Sequence, residues 1–282
     1  MTIIILNWKY LGKEKFMICT LSTEVEKIQA DFERDGYFLA KGVFKDQLPE
    51  LEASFDRIVR QLESTTDIIN ALWPGEAIEE IHKKSQTVKP PHVIHTYNVQ
   101  RYDPIWMKAF LDQAFLHYAT TILGEDVILH HSKLFLKPAK IGGAFPVHQD
   151  YSYFSTEKDS MIAGVIHLTG GNNNMGGIRI FPGSHKLGRI EASSGMQTNK
   201  KFQNDYPIEN SVSLEVEAGD VLFFHYFTLH ASMPNFSNSP RKTVLVQMYN
   251  GHDQIENSNG HMDERIVLNG WNYRMTRPKA AE

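Results

Sequence analysis

The 282-residue sequence contains a single cysteine, Cys19. One thiol makes no internal disulfide, so the fold must rest on its core, and a reducing, cytoplasmic setting is expected. No window approaches the ~18 consecutive apolar residues of a membrane span. The opening MTIIILNWKYLGKEKF has only a short apolar run before lysines interrupt it. Without a basic leading region or a small-residue cleavage site, it is not expected to be a signal peptide. Neither sign of charge dominates: 29 Lys and Arg against 33 Asp and Glu give a net charge of −4. That removes the electrostatic ground for a nucleic-acid partner. Repeats, low-complexity tracts and linker-like stretches are also missing, so residues 1–282 read as one domain. Oligomeric state leaves no trace in the sequence.

What is present is an ordinary globular composition, with 41% hydrophobic residues, in a chain long enough to bury a large core. Thirteen histidines point mildly toward metal chemistry. The first third has helical periodicity. Thr23 and Glu26 have the spacing of a capping box, and Gly36 is placed as a helix stop. GYFLAKGVF reads as a short strand. Leu48, Leu51, Phe55, Ile58, Val59 and Leu62 fall on one helical face. Asp103-Pro104 opens a further helix that runs to Gly124. From about residue 125 the period shortens. DVILHHSKLFLKP, MIAGVIHL, GIRIFPG, VSLEVEAGDVLFFHYF and TVLVQMYN are short apolar segments separated by Gly, Pro and Asn clusters. No helical pattern intervenes between them, which argues against a wound parallel sheet and favours an antiparallel sandwich or barrel. The expected organisation is a helical layer over about 20–124, a β core over about 125–250, and a C-terminal extension over 251–282.

FPVHQDYSYF at 145–154 places His148 and Asp150 two apart in strand-like sequence. On a strand both project from one face, with Gln149 on the other. Spacing alone does not separate metal ligands from polar decoration, because His261-Met-Asp263 repeats it in a polar, loop-like stretch. Downstream, EAGDVLFFHYFTLHASMPNFSNSPRKTVLVQMY reads as strand, turn, strand, with His230 near the end of the first strand and Arg241 opening the second. A hairpin between them would return Arg241 to the metal end. Two histidines and a carboxylate leave three positions open on iron(II), enough for a bidentate 2-oxo acid and O2. A guanidinium fork binds a carboxylate bidentately. His225 is separated from His230 by an odd number of positions, and packing or hydrogen bonding is its expected role. His185 belongs to a turn and is expected to be structural. Only one of the adjacent His130 and His131 can face inward on a regular strand, and His131 is the candidate for substrate contact. Lys133 and His167 sit on core strands, where contact with the cavity and a packing or solvent role both remain open. Tyr153, by its parity with His148 and Asp150, and Phe154 are candidates for a substrate wall; Tyr151 has the same two readings of packing or wall.

FPVHQDYSYF, GGIRIFPGSHKLG and EAGDVLFFHYFTLHASMPNFSNSPRK, with FERDGYFLAKGVF upstream, resemble the phytanoyl-CoA dioxygenase family across roughly residues 32–250. The resemblance implies a double-stranded β-helix (jelly-roll, cupin-like) core and an iron(II)- and 2-oxoglutarate-dependent oxygenase. It implies that His148, Asp150 and His230 are the iron ligands. It gives Arg241 the far carboxylate of 2-oxoglutarate, with the Ser232 hydroxyl assisting. His95, in VIHTYNV, falls near a cofactor-contacting lysine of the family, and Lys133 is a further cofactor-binding candidate. With Asp150 present no ligand position is vacated for halide, so hydroxylation of a small or medium-sized metabolite, with release of succinate and CO2, is expected over halogenation, and desaturation, epoxidation and ring formation stay open. An acyl-CoA substrate has no visible basic patch to meet it, since Lys83, Lys84, Lys200 and Lys201 read as solvated surface. The alternatives are a non-catalytic ligand-binding protein on the same fold and an acyl-CoA hydroxylase. NNNMGG before the PGSH turn departs from the family's usual Asn-Gly turn and leaves the shape of that loop open.

Overall fold

Residues 14–64, 70–71, 93–191, 196, 199–258 and 262–275 are described by the structure, a computed structural model. Helix α1 (Glu14–Asp35) leads into strand β1 (Tyr37–Ala40). Helix α2 (Leu48–Glu63) precedes the short β2 (Asn70–Ala71) and β3 (Val93–Tyr97). Helices α3 (Pro104–Phe110) and α4 (Gln113–Leu123) lead to β4 (Val127–Lys137), β5 (Phe145–His148), β6 (Phe154–Thr156), β7 (Ile162–His167) and β8 (Ile178–Ile180). After α5 (Lys200–Asp205) come β9 (Val212–Ser213), β10 (Val221–His225), β11 (His230–Ser232), β12 (Arg241–Asn250), β13 (Ile255–Ser258) and β14 (Ile266–Asn269). No helix among the described residues is long and apolar enough to cross a membrane.

The strands form a cupin-like double-stranded β-helix. One antiparallel sheet runs β1-β10-β7-β12-β4-β3-β2, with β14 also on β4; a second runs β5-β11-β8-β9, and β13 pairs with β6. Strand alternation divides the large sheet into two faces. Phe223, Val244, Val246 and Met248 join a core with Leu51, Phe55 and Ile58 of α2, Trp106 and Phe110 of α3, and Phe115 of α4. The alternate residues Leu222, Phe224 and Leu245 point the other way and pack with Ile180 of the second sheet and with Leu214 and Val216, which follow β9. Each fully buried apolar side chain contributes about 1.5–3 kcal/mol, so the helical layer pins one face of the sheet and leaves the other for the site.

The apolar face anticipated on α2 is the one that packs: Leu51, Phe55, Ile58 and Val59 are buried, and Leu48 and Leu62 are partly buried against the same cluster. Other expectations are corrected. Helix α1 begins at Glu14, so Thr23 lies inside it and not at its start. The segment from Asp103 to Gly124 is two helices. Asp103 accepts from the Ile105 N–H, and Asp112 accepts from the N–H groups of Ala114 and Phe115, so a second N-cap restarts the chain. Among the described residues of the C-terminal extension, β14 pairs with β4 and β13 with β6. β1 is the short strand expected in GYFLAKGVF, and β2 and β3, within the expected helical layer, are also strands of the large sheet. Lys83 and Lys84 lie outside the described residues, whereas Lys201 is an exposed partner of Asp205.

Gly36 ends α1 with a φ of +78°, and a Cβ there would meet His185 Nδ1 at 2.3 Å and Thr228 Oγ1 at 2.8 Å. His185, in the PGSH turn, also bonds the Glu33 carbonyl through Nε2 at 3.1 Å, so this turn docks on the helix end as the structural reading expects. Gly36→Ala is therefore expected to lower stability by about 1–3 kcal/mol, read from urea unfolding; an unchanged midpoint would contradict the docking.

Candidate active site

His148 is the last residue of β5, and Gln149 continues in extended conformation before Asp150 opens a 3-10 turn through Ser152. Asp150 thus lies just beyond the strand on which the sequence placed it. The extended Gln149 still sets the two side chains on one side. Gln149 turns away and is fixed there, donating from Nε2 to the Gly188 and Phe227 carbonyls at 2.8 and 2.7 Å. His230 opens β11 directly opposite His148, with ring centroids 4.3 Å apart.

The expected strand and hairpin around His230 are not what forms. β10 ends at His225, and the chain turns through Tyr226–Thr228 into β11 of the other sheet. Arg241 then returns to the large sheet, where β12 pairs with β4 and β7 rather than with β11. The two sheets facing each other, not a hairpin, bring Arg241 to the site. His225 packs and bonds as expected, its Nε2 3.0 Å from the Asp159 carbonyl and its Nδ1 accepting from the Phe227 N–H.

One ligand atom from each of His148, Asp150 and His230 lies within 4.8 Å of the other two, a span one metal ion bridges. Both imidazoles are oriented from behind. Nδ1 of His148 faces the Pro146 carbonyl at 2.8 Å, and Nδ1 of His230 faces the Thr228 carbonyl at 2.9 Å. A carbonyl only accepts, so each Nδ1 carries the proton and each Nε2 presents a lone pair. Those Nε2 atoms stand 3.6 and 3.5 Å from Asp150 Oδ1. Burial, and then the neighbouring His230, push His148 down to about 4; burial does the same to His230. Both are thus neutral at physiological pH, the form that binds metal. Asp150 Oδ2 accepts from Gln247 Nε2 at 2.5 Å. Gln247→Leu is expected to weaken iron(II) binding by roughly 10–100-fold, the usual cost of an outer partner; anaerobic titration with iron(II) checks this, and wild-type affinity would contradict it.

Two cavities meet at this triad, sharing His148, Asp150, Phe135, Phe145 and Leu245. The first, about 510 Å³, also holds His230, Ser232, Thr243 and Arg241. Arg241 is 4% exposed; its Nη1 donates to the Gly176 carbonyl at 2.5 Å, and its Nε has no partner. Burial lowers its pKa to about 10, which leaves it charged at neutral pH. The NNNMGG loop is what clamps it, and Gly176 has a φ of +66° at which a Cβ would strike the Met233 carbonyl at 2.4 Å. Lys137 pairs with Arg241 across β4 and β12. It is fully buried and donates to Ser232 Oγ at 2.6 Å and to the Met233 carbonyl at 2.7 Å. Burial, then Arg241, hold its pKa well below the ordinary lysine value. No carboxylate among the described residues forms an ion pair with Arg241 or Lys137. A buried basic pair of this kind is completed by an anionic ligand. Because Ser232 Oγ accepts from Lys137, its own proton is left to donate into the cavity.

The second cavity, about 500 Å³, adds Tyr97, His131, Lys133, Tyr153, Phe154 and Gln247. Lys133 therefore stands on this side of the triad and not beside Arg241. Its Nζ donates to Tyr97 Oη at 3.1 Å and lies over the Tyr97 and Phe135 rings, and burial lowers its pKa to about 8. His95 lines neither cavity and stacks on Phe135, its partner across β3 and β4, with centroids 6.4 Å apart. The expectation that one of His130 and His131 faces away is corrected. β12 pairs Gln247 with His131 and Met248 with Leu129, so His130 is an extra residue in a bulge and both rings are buried. Tyr153 meets His148 edge-on at 6.1 Å, whereas Tyr151 turns to Tyr226 and Phe227. His167 is buried near Arg241 but lines neither cavity. Asp263, of the second His-x-Asp pair, accepts from Tyr249 Oη and Arg265 Nε; His261 is outside the described residues.

Sequence reasoning missed Gln247, Lys137 and Gly176. Parity could have found two of them, since Gln247 shares a strand face with Arg241, and Lys137 shares one with Lys133.

A profile of the phytanoyl-CoA dioxygenase (PhyH) family matches residues 32–243. The chain belongs to the phytanoyl-CoA dioxygenase family. As a member it is an iron(II)- and 2-oxoglutarate-dependent oxygenase that uses O2. It is 27% identical over 275 residues to ectoine dioxygenase of Bordetella bronchiseptica, covering 87% of this chain and 80% of that protein. It is 24% identical over 253 residues to peroxisomal phytanoyl-CoA dioxygenase of Mus musculus, covering 84% and 71%. In fold it resembles the epimerase SnoN in complex with Fe3+, alpha ketoglutarate and nogalamycin RO, with TM-score 0.66, 16% identity, and coverage of 89% of this chain and 96% of that one. The family's iron fits the residues found here, two neutral imidazoles with bare Nε2 atoms beside one carboxylate.

Proposed function

We propose that this oxygenase hydroxylates a small or medium-sized metabolite, with His148, Asp150 and His230 holding iron(II) and Arg241 and Ser232 holding the far carboxylate of 2-oxoglutarate. The observation that carries the reading is the junction of two cavities at one triad, one basic and one lined by aromatic and polar groups. When bound, iron and 2-oxoglutarate supply the oxidising chemistry, with succinate and CO2 as products of the co-substrate. The chain's own part is positioning. Pro146 and Thr228 carbonyls aim the imidazoles, and Gln247 aims Asp150. Lys137 turns the Ser232 proton toward the carboxylate, and Phe135, Phe145 and Leu245 give the junction an apolar lining. Tyr153 and Phe154, with His131, form the wall that orients the substrate C–H.

The second cavity opens to solvent, and its walls of Tyr97, Tyr153 and Phe154 beside the triad suit a small or medium-sized metabolite. Ectoine dioxygenase among the relatives supports the same size class. A single domain is supported by the one core that helices α2, α3 and α4 share with the large sheet. A cytoplasmic setting rests on the lone Cys19. Succinate release from 2-oxoglutarate, dependent on iron(II), tests the proposal. Release that follows iron(II) supports an enzyme; metal uptake without any release would leave the non-catalytic reading.

A further inference from the structure

We propose that the substrate carries a carboxylate, which Lys133 binds, and a hydroxyl or N–H donor, which Gln247 Oε1 receives. The inference rests on the reading of the second cavity as the substrate's. Gln247 is 1% exposed and lines that cavity. Its amide nitrogen is committed to Asp150, which fixes the orientation of the group. Its Oε1 is buried without a partner. A buried acceptor left unmatched costs about as much as a lost hydrogen bond, and a donor on the ligand removes that cost.

Lys133 supplies the complementary charge. Its ammonium has three N–H donors, yet Tyr97 Oη is its hydrogen-bond partner among the described residues, and its Nζ lies over the Tyr97 and Phe135 rings. No carboxylate among the described residues stands within ion-pair distance of it. Asp150 is the acid whose field reaches it, and that charge belongs to the metal once iron is bound. A lone cation with aromatic walls matches a monoanion; a phosphate dianion would call for further donors. Lys133 and Gln247 lie on adjacent strands, with Leu245 opposite Lys133 and Gln247 opposite His131. One small molecule therefore reaches both groups.

The carboxylate at Lys133 has two possible sources, the substrate and 2-oxoglutarate itself, and the experiment separates them. The protein loaded anaerobically with iron(II) and saturating 2-oxoglutarate is titrated calorimetrically with hydroxy and N-acylamino carboxylates, each beside its carboxamide and its deoxy or desamido counterpart. Carboxylates are expected to bind roughly 10–100-fold more tightly than carboxamides, and loss of the donor is expected to cost roughly tenfold. Lys133→Met should shrink the carboxylate preference to within about twofold, Lys133→Arg should keep it, and neither should change 2-oxoglutarate affinity by more than about twofold. Equal binding of carboxylates and carboxamides, or binding of neither, overturns the proposal. So does a Lys133→Met protein that loses 2-oxoglutarate and keeps its ligand preference, because Lys133 then serves the co-substrate. Failure of the oxygenase reading is distinct: the wild type would take up no iron(II) and 2-oxoglutarate before any ligand is added.

Discussion

Asp150→Ala is expected to reduce iron(II) affinity by more than about 100-fold and to bring succinate release to background. Loss of an outer partner alone costs roughly 10–100-fold, and here a ligand itself is removed. Asp150 Oδ1 stands 3.6 and 3.5 Å from the two Nε2 atoms and is the one anionic donor among the three. The variant should fold, because both imidazoles are held by backbone carbonyls and not by Asp150. Gln247 Nε2 loses its acceptor, so some loss of thermal stability is expected. Asp150→Asn separates the two effects. It keeps an acceptor for Gln247 but not the charge, so stability should return while iron affinity stays low. Iron affinity at the wild-type level in either variant would remove Asp150 from the site.

Arg241→Met is expected to raise the KM for 2-oxoglutarate by roughly 100-fold or more, since truncating one partner of a buried charged pair costs about 2–5 kcal/mol. Iron(II) affinity should stay within about threefold, because Arg241 touches the Gly176 carbonyl and no member of the triad. Lys137→Met should act in the same direction but more weakly, roughly tenfold, as it works through the Ser232 hydroxyl. Steady-state KM values and an anaerobic iron titration on the same preparations check both. Equal losses of iron and 2-oxoglutarate affinity would mean that Arg241 holds the fold together instead of the co-substrate.

Much of this site was legible before any coordinates. The period change near residue 125 gave the β core, and the distance from His148-x-Asp150 to His230 and Arg241 gave a residue set that the fold gathers. Local physics explains why: extended backbone fixes parity, and apolar periodicity fixes faces. What sequence could not carry was the crossing between sheets. LFFHYFTLHAS contains no Gly, Pro, Asn or Asp, and nothing in it marks the turn at Tyr226–Thr228 that sends His230 to the second sheet. The bulge at His130 is invisible for the same reason, since one extra residue leaves composition unchanged. Lys137 was missed because a lysine beside a proline reads as a strand end in water. Only the closure of the Asn235 and Gly142 loops over it, joined by a backbone bridge, makes that position a buried one. Thr23 misled because capping-box spacing also occurs inside a longer helix.

A crystal structure of the protein grown anaerobically with iron(II) and 2-oxoglutarate tests the central claim most directly. The account predicts metal bonded to Nε2 of His148, Nε2 of His230 and a carboxylate oxygen of Asp150, with the far carboxylate of 2-oxoglutarate on Arg241 and Ser232 and the Lys133 cavity left open beside it. Metal bound elsewhere, or 2-oxoglutarate lying in the Lys133 cavity with Arg241 untouched, would contradict it.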